Sequence, residues 1–272
     1  MGRMNDPRLR LIDHCVLPVA DLDTARAWLT ALGFTVAPEG RHPFGTKNAC
    51  VYFGDDTFLE PLAIADTAEI ATARREGNVF IERDALYRQT QGEDGFSALV
   101  FKSEDAEADH RTFEQAGISA GPMLSFSRPF VDASGASGTA SFKLAFAAEP
   151  NEAAAYLFTC QRLGQPKVDR TALERHDNGA LAIKAIIAEA GQREKGEAFV
   201  NRACPTPPGT IEVTASQQGS NLRFRGIVLG VSDLTRTEQL FSDRAINHSR
   251  SGNRILVPPA PGQGVQLVFE EA

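Results

Sequence analysis

Residues 11–19 (LIDHCVLPV) alternate with a period of two. Leu11, Asp13, Cys15, Leu17 and Val19 fall on one face and Ile12, His14, Val16 and Pro18 on the other, which predicts a strand with His14 opposite Leu17. The period then changes. Asp21 precedes a run in which Ala25, Trp28, Leu29 and Leu32 recur at helical spacing, so an N-cap and an amphipathic helix are predicted, ended by Gly33. Residues 48–54 and 57–64 return to strand character as a hairpin, with Phe58, Glu60 and Leu62 on one face. One ionisable residue therefore stands on each of two strands: His14 and Glu60.

Residues 95–119 repeat the plan of residues 11–35, with Asp105 answering Asp21 as the cap. The correspondence extends to Arg41-His42-Pro43-Phe44, echoed by Arg128-Pro129-Phe130, and to hairpins ending at residues 57–64 and 154–163. Residues 1–163 thus hold two copies of one unit. Between the copies, residues 66–92 favour helix but show no alternating apolar face, which predicts an inserted crossover that is either a solvated face or a lid. Residues 164–177 are polar and rich in breakers, so they are assigned to a linker. Residues 178–272 give strand signals again, with Asp233 as a third cap, and are expected to hold two shorter copies.

A chain of 272 residues exceeds the usual single-domain size of roughly 100–200 residues, in keeping with this division. Hydrophobic residues make up 42% and charged residues 23%, and no apolar run approaches the ~18 residues of a membrane span. The first ten residues lack the apolar segment of a secretory signal, so a cytoplasmic location is expected. A net charge of −7 without a basic stripe argues against a nucleic-acid partner. The cysteines, Cys15, Cys50, Cys160 and Cys204, form no CxxC pair and are expected as buried thiols.

The run D-H-x-V-L-x-V-x-D-L, a helix, L-G-F and a hairpin ending F-L-E-P-L resemble the vicinal oxygen chelate superfamily, which contains glyoxalase I, the bleomycin resistance proteins and the extradiol dioxygenases. Within it, residues 41–64 and 138–163 are most similar to the glyoxalase-like domains. The resemblance implies an α+β fold, in which tandem βαβββ modules pair into cupped mixed sheets with helices on the outer face. It also implies a divalent metal (Zn, Mn, Ni or Fe) held by the first and last strands of each module. His14 and Glu60 match one half of that site, whereas the second module offers Ala98, with Ser97 beside it, and Thr159. Gln161, His42 or another subunit would have to supply a third ligand. Alternatively, His14 is a strand histidine hydrogen-bonded to Glu60 or Asp13, and Glu60 acts as a general base, which requires a raised pKa.

Arg41, His42, Thr46 and Asn48, with Arg128 from the matching place in the second module, are candidates for binding a carboxylate or phosphate, the alternative being a locally bonded turn. Phe44, Tyr52, Phe58, Phe126, Phe130 and Tyr156 are candidates for an aromatic pocket wall. His110, His176 and His248 are expected at the surface, though residues 176–179 could cover the pocket. The expected function is binding of a small oxygen-rich metabolite, with isomerase or lyase chemistry on it. A metal-free binding protein of the bleomycin-resistance type is the alternative. The expected partner is a small molecule, the chain being a monomer or homodimer, and a third reading gives residues 178–272 only the role of covering a sheet edge.

Overall fold

The computed structural model describes residues 9–131, 137–149, 155–164, 169–217 and 221–272. The first unit contains β1 (Ile12–Pro18), α1 (Leu22–Ala31), β2 (Gly40–Arg41), β3 (Thr46–Asn48), β4 (Val51–Tyr52) and β5 (Phe58–Ile64). After an insert of α2 (Thr67–Arg75) and α3 (Val79–Gln91), the second contains β6 (Ala98–Ser103), α4 (Ala106–Gln115), β7 (Leu124–Val131), β8 (Ser137–Ala147) and β9 (Tyr156–Leu163). The third is reduced to β10 (Ala180–Ala190), α5 (Arg193–Ala203) and β11 (Ile211–Ala215). The fourth has β12 (Arg223–Val231), α6 (Leu234–Asp243), β13 (Ser249–Ser251), β14 (Arg254–Val257) and β15 (Gln266–Glu271).

The three aspartates expected as caps do that work. Asp21, Asp105 and Asp233 accept from the backbone N–H groups of Thr24, Ala108 and Arg236, which would otherwise be unpaired donors at the starts of α1, α4 and α6. Each such cap is worth about 1 kcal/mol.

Two sheets result. In the first, the order is β2-β3-β5-β1-β6-β9-β8-β7, with β4 also on β5. The antiparallel pair β1–β6 is the seam between units, flanked by the parallel pairs β1–β5 and β6–β9. The sheet is curled into a cup: a Cβ built on Gly40 of β2 would lie 2.6 Å from Nη1 of Arg128 on β7, so the two ends of the strand order meet over the concave face. The second sheet, β11-β10-β12-β15-β14-β13, repeats the scheme around the antiparallel pair β10–β12.

The expectation that residues 178–272 cover a sheet edge is not what the packing gives. They share a core with the helical side of the first sheet, where Phe34 meets Phe269 at 6.1 Å and Phe96 meets Phe224 at 4.6 Å. Trp28 on α1 donates to Gln263 at 2.6 Å. The insert also departs from a purely solvated reading: Val79, Phe80, Ile81, Asp84 and Tyr87 of α3 are buried. Arg88 pins this helix, pairing with Asp84 at 2.8 Å and donating to the carbonyls of Val19 and Leu62. All four cysteines are free and buried, as expected. Among the described residues, no helix is long and apolar enough to cross a membrane.

The turn at Gly264 is a close approach between the halves. Its φ is +64°, and a Cβ there would sit 2.2 Å from the backbone of Asp94 and Gly95. Gly264→Ala should therefore lower the unfolding free energy by about 2–4 kcal/mol, read as a shift of the urea midpoint. An unchanged midpoint would mean that the two halves do not depend on this contact.

Candidate functional site

The site begins with an irregularity in β1. The pairing with β6 shifts register between Ile12 and His14, so the strict alternation fails there. Ile12 packs in the core on the helical side, while Asp13 and His14 both reach the concave face and line one cavity of about 690 Å³. Period-two reasoning put Asp13 on the face opposite His14, and the bulge overturns that.

Glu60 lies at the floor, on the neighbouring strand β5. The parallel register sets Val16 beside Glu60 and His14 beside Phe58, whose ring stacks on the imidazole at 4.3 Å. Nε2 of His14 is 3.3 Å from Oε2 of Glu60, and its Nδ1 is 2.6 Å from Oδ2 of Asp13. Arg162 of β9 closes the chain by donating to both oxygens of Asp13 at 2.6 and 2.8 Å. On the other side, Nδ2 of Asn48 donates to Oε1 of Glu60 at 2.6 Å. Nε2 of His42 stands 3.7 Å from the same oxygen while its Nδ1 meets Oγ1 of Thr46 at 2.9 Å.

Burial by itself would raise the carboxyl of Glu60. Its bonds to His14 and Asn48 and the two imidazoles outweigh that and hold it at about 2. Burial likewise disfavours the cation of His14, yet Asp13 and Glu60 together raise its pKa. His42 goes the other way. Burial, which the nearby Glu60 does not offset, lowers it to about 4, so it is a neutral imidazole. Glu60 is thus a poor general base at neutral pH, opposite to the raised pKa that role requires.

Each remaining candidate can now be placed. Asn48 and Arg128 line the cavity, and so does Arg41, although Arg41 is turned to Glu69 at 3.2 Å. Thr46 is buried behind His42 and holds its ring. Gln161 is away from the site: its side chain accepts from the N–H of Ala106 and donates to the carbonyl of Glu104, so it cannot complete a set with His14 and Glu60. Phe44, Tyr52, Phe58 and Phe126 are on the wall, Tyr156 is stacked behind Phe158 at 5.9 Å, and the side chain of Phe130 lies outside the described residues. His110 is only partly exposed and faces Glu114 at 3.4 Å. His176 is no surface histidine. Its Nδ1 accepts from the N–H of Thr35 at 3.0 Å, leaving Nε2 to donate to the carbonyl of Tyr52 at 2.9 Å, between the rings of Phe34 and Phe53. It fastens the segment after β9 onto the first unit, and Asp169, Arg170, Ala172 and Leu173 of that segment line the cavity.

Residue-type reasoning missed Arg162, Phe158 and Arg170. A signal for the first two existed, since Phe158, Cys160 and Arg162 alternate on β9 and all three line the cavity. Nothing local marks Arg170.

The superfamily's metal can be tested against this donor set. The matching caps Asp21 and Asp105 set Ala98 in the place of His14, and the sheet register carries the relation to the last strands: β1 with β5 pairs His14 with Phe58, and β6 with β9 pairs Ala98 with Tyr156. The equivalents of His14 and Glu60 are then Ala98 and Phe158. Thr159, expected in the second carboxylate's place, is one residue out of phase and buried on the opposite face of its strand. Phe158 instead presents an edge to His14 at 5.7 Å. In the first unit the two imidazoles face different oxygens of Glu60, an arrangement of hydrogen-bonding partners. Among the described residues, no three His, Cys, Asp or Glu side chains are placed to hold one ion. The residues present do not fit the metal.

The charge network makes stability depend on pH with a definite sign. Unfolded His42 takes up a proton below 6.5 that the folded protein refuses until about 4, so stability falls over that interval. Glu60 continues the loss from 4.5 towards about 2, because its folded value is the lower one. His14 acts oppositely, its stabilisation being full below 6.5 and fading as pH rises through its elevated folded value. Urea unfolding measured between neutral pH and about 4 should show a shallower decline for His42→Gln than for the wild type. Parallel curves would contradict a neutral buried His42.

The comparisons with known proteins agree with this architecture. A family model described as a glyoxalase-like domain matches residues 12–204. Among solved structures, a hypothetical protein from Staphylococcus aureus is 12% identical, covering 96% of this chain and 99% of that one with a TM-score of 0.65. A variant of 4-hydroxymandelate synthase from Streptomyces coelicolor is 13% identical, covering 97% and 93% with a TM-score of 0.61. A Mn(II)-bound glyoxalase from Novosphingobium aromaticivorans is 12% identical, covering 97% and 82% with a TM-score of 0.52. At these identities the likeness shows the fold alone. No curated protein matches the chain in sequence. With the modular fold and the family model in agreement, the chain belongs to the glyoxalase-like domain family, within the vicinal oxygen chelate superfamily.

Proposed function

We propose that this chain is a metal-independent small-molecule-binding protein, holding an apolar-bodied, oxygen-bearing ligand in the cup of its first sheet. One observation carries the reading. The place of the second metal half-site is taken by Ala98 and Phe158, while both ring nitrogens of His14 and both oxygens of Glu60 have partners within the protein. A cavity of about 690 Å³ whose walls combine aromatic rings with a set of charged and polar side chains is of a size that encloses small organic molecules. The low pKa of Glu60 further favours binding over proton abstraction.

In this reading the buried chain from Arg162 through Asp13 and His14 to Glu60 is a floor whose charges are satisfied before any ligand arrives. Pre-arranged partners of this kind present fixed donors at little reorganisation cost. Thermal-shift screening of small oxygenated acids and carbonyl compounds, with and without a chelator, tests the proposal. Ligands should raise the melting temperature equally in both conditions and be recovered unchanged. A compound that is consumed, with the reaction stopped by chelation, would replace this reading with a metal-dependent enzyme.

A further inference from the structure

Four arginines line the cavity: Arg41, Arg128, Arg162 and Arg170. Two are already matched. Arg162 grips Asp13, and Arg41 faces Glu69 at 3.2 Å and Asp66 at 3.9 Å. The carboxylates on the lining are matched as well. Glu39 takes Lys47 at 3.2 Å, Glu60 is held by His14 and Asn48, and Asp169 accepts from the N–H and hydroxyl of Thr171 at 2.9 and 2.7 Å. Arg128 and Arg170 remain, neither with a carboxylate partner among the described residues.

Each of the two lies along a ring instead. The guanidinium of Arg170 is 4.5 Å from the centroid of Tyr52, and that of Arg128 is 5.9 Å from Phe142. Such stacking orients a guanidinium while leaving its N–H fork available to a planar oxyanion. Both arginines line the same cavity, Arg170 over Tyr52 and Arg128 beside Gly40, and the charges of both oppose the rise that burial gives the thiol of Cys50 and the phenol of Tyr52. Gly40 is what lets Arg128 reach there. Any side chain at Gly40 would press on Nη1 of Arg128 at 2.6 Å and on Oδ1 of Asn48 at 2.5 Å. Arg170 arrives from the segment joining the two sheets, which His176 fastens in place.

Resting on the binding reading above, we propose that Arg128 and Arg170 form a clamp for the carboxylate of an aromatic acid, its ring lodged among Phe58, Phe126, Phe142 and Phe158. The two ends of such a ligand match the two characters of the cavity. The ring is enclosed by rings, where edge and face contacts add to apolar burial. The carboxylate meets the two cations that the fold leaves unmatched, and the segment between the sheets is thereby part of the site.

Calorimetric titration of the full chain with naphthoate, its neutral amide and cyclohexanecarboxylate tests the clamp. Naphthoate should bind best, with the amide weaker by roughly ten- to hundredfold, as expected for loss of charge-assisted hydrogen bonds. Cyclohexanecarboxylate should be weaker than naphthoate. Arg128→Gln and Arg170→Gln should each reduce the preference for acid over amide while amide binding persists, and that persistence shows that the variants are folded. Equal affinity for acid and amide overturns the clamp and leaves the binding reading standing, as does an acid preference that survives both substitutions. Failure to bind naphthoate at all also overturns the clamp. A metal-dependent turnover in the screen above would instead overturn the reading beneath it.

Discussion

A carboxylate at the floor of an aromatic cup must be paired, since a lone ion there would cost several kcal/mol or would take up a proton. Glu60 is paired by His14 and Asn48, and His14 in turn needs Asp13, which needs Arg162. This requirement links β1, β5 and β9 across the seam of the first sheet. Arg162 comes from the second unit and Glu60 from the first, so the network is complete only when the two units are paired. The bulge in β1 is what allows it, by turning two consecutive residues towards the same cavity.

The same network separates this site from the metal centres of its superfamily. A metal would need His14 and Glu60 released towards a common point, with donors facing them from β6 and β9. Those strands present Ala98 and Phe158. His14 is instead held between two carboxylates, which raise its pKa against burial, and the residues opposite, Ala98 and Phe158, are apolar. The segment after β9 adds to the cavity wall because His176 draws it onto Tyr52 and Thr35. On the second sheet, Lys184 and Arg254 both pair with Glu270.

Much of the fold was legible in the sequence because its signals are local. An aspartate before a helical run, a period of two on either side and the recurrence of both after 84 residues led to the modules, and Asp21, Asp105 and Asp233 cap as expected. His14 and Glu60 were found the same way and do meet. What escaped depends on register or on distant packing. A one-residue shift separates Phe158 from Thr159, and no alternation rule can foresee a bulge that brings in Asp13. His176 and Arg170 lie in a segment whose composition reads as linker, and only its docking against Phe34, Phe53 and Tyr52 gives them a place. Of the two readings of the insert, α3 departs from the solvated face, since it buries residues that a weakly patterned helix does not advertise and its Phe80 lines the cavity.

Ala98 and Phe158 in the place of ligands leave the first unit's His14 and Glu60 without a second half-site. The most direct test of that loss is metal analysis by mass spectrometry of protein purified without an affinity tag, comparing the wild type with an Ala98→His, Phe158→Glu double variant. The account predicts no stoichiometric divalent metal in the wild type and acquisition of metal by the variant. Stoichiometric metal in the wild type, lost on Glu60→Gln, would contradict it.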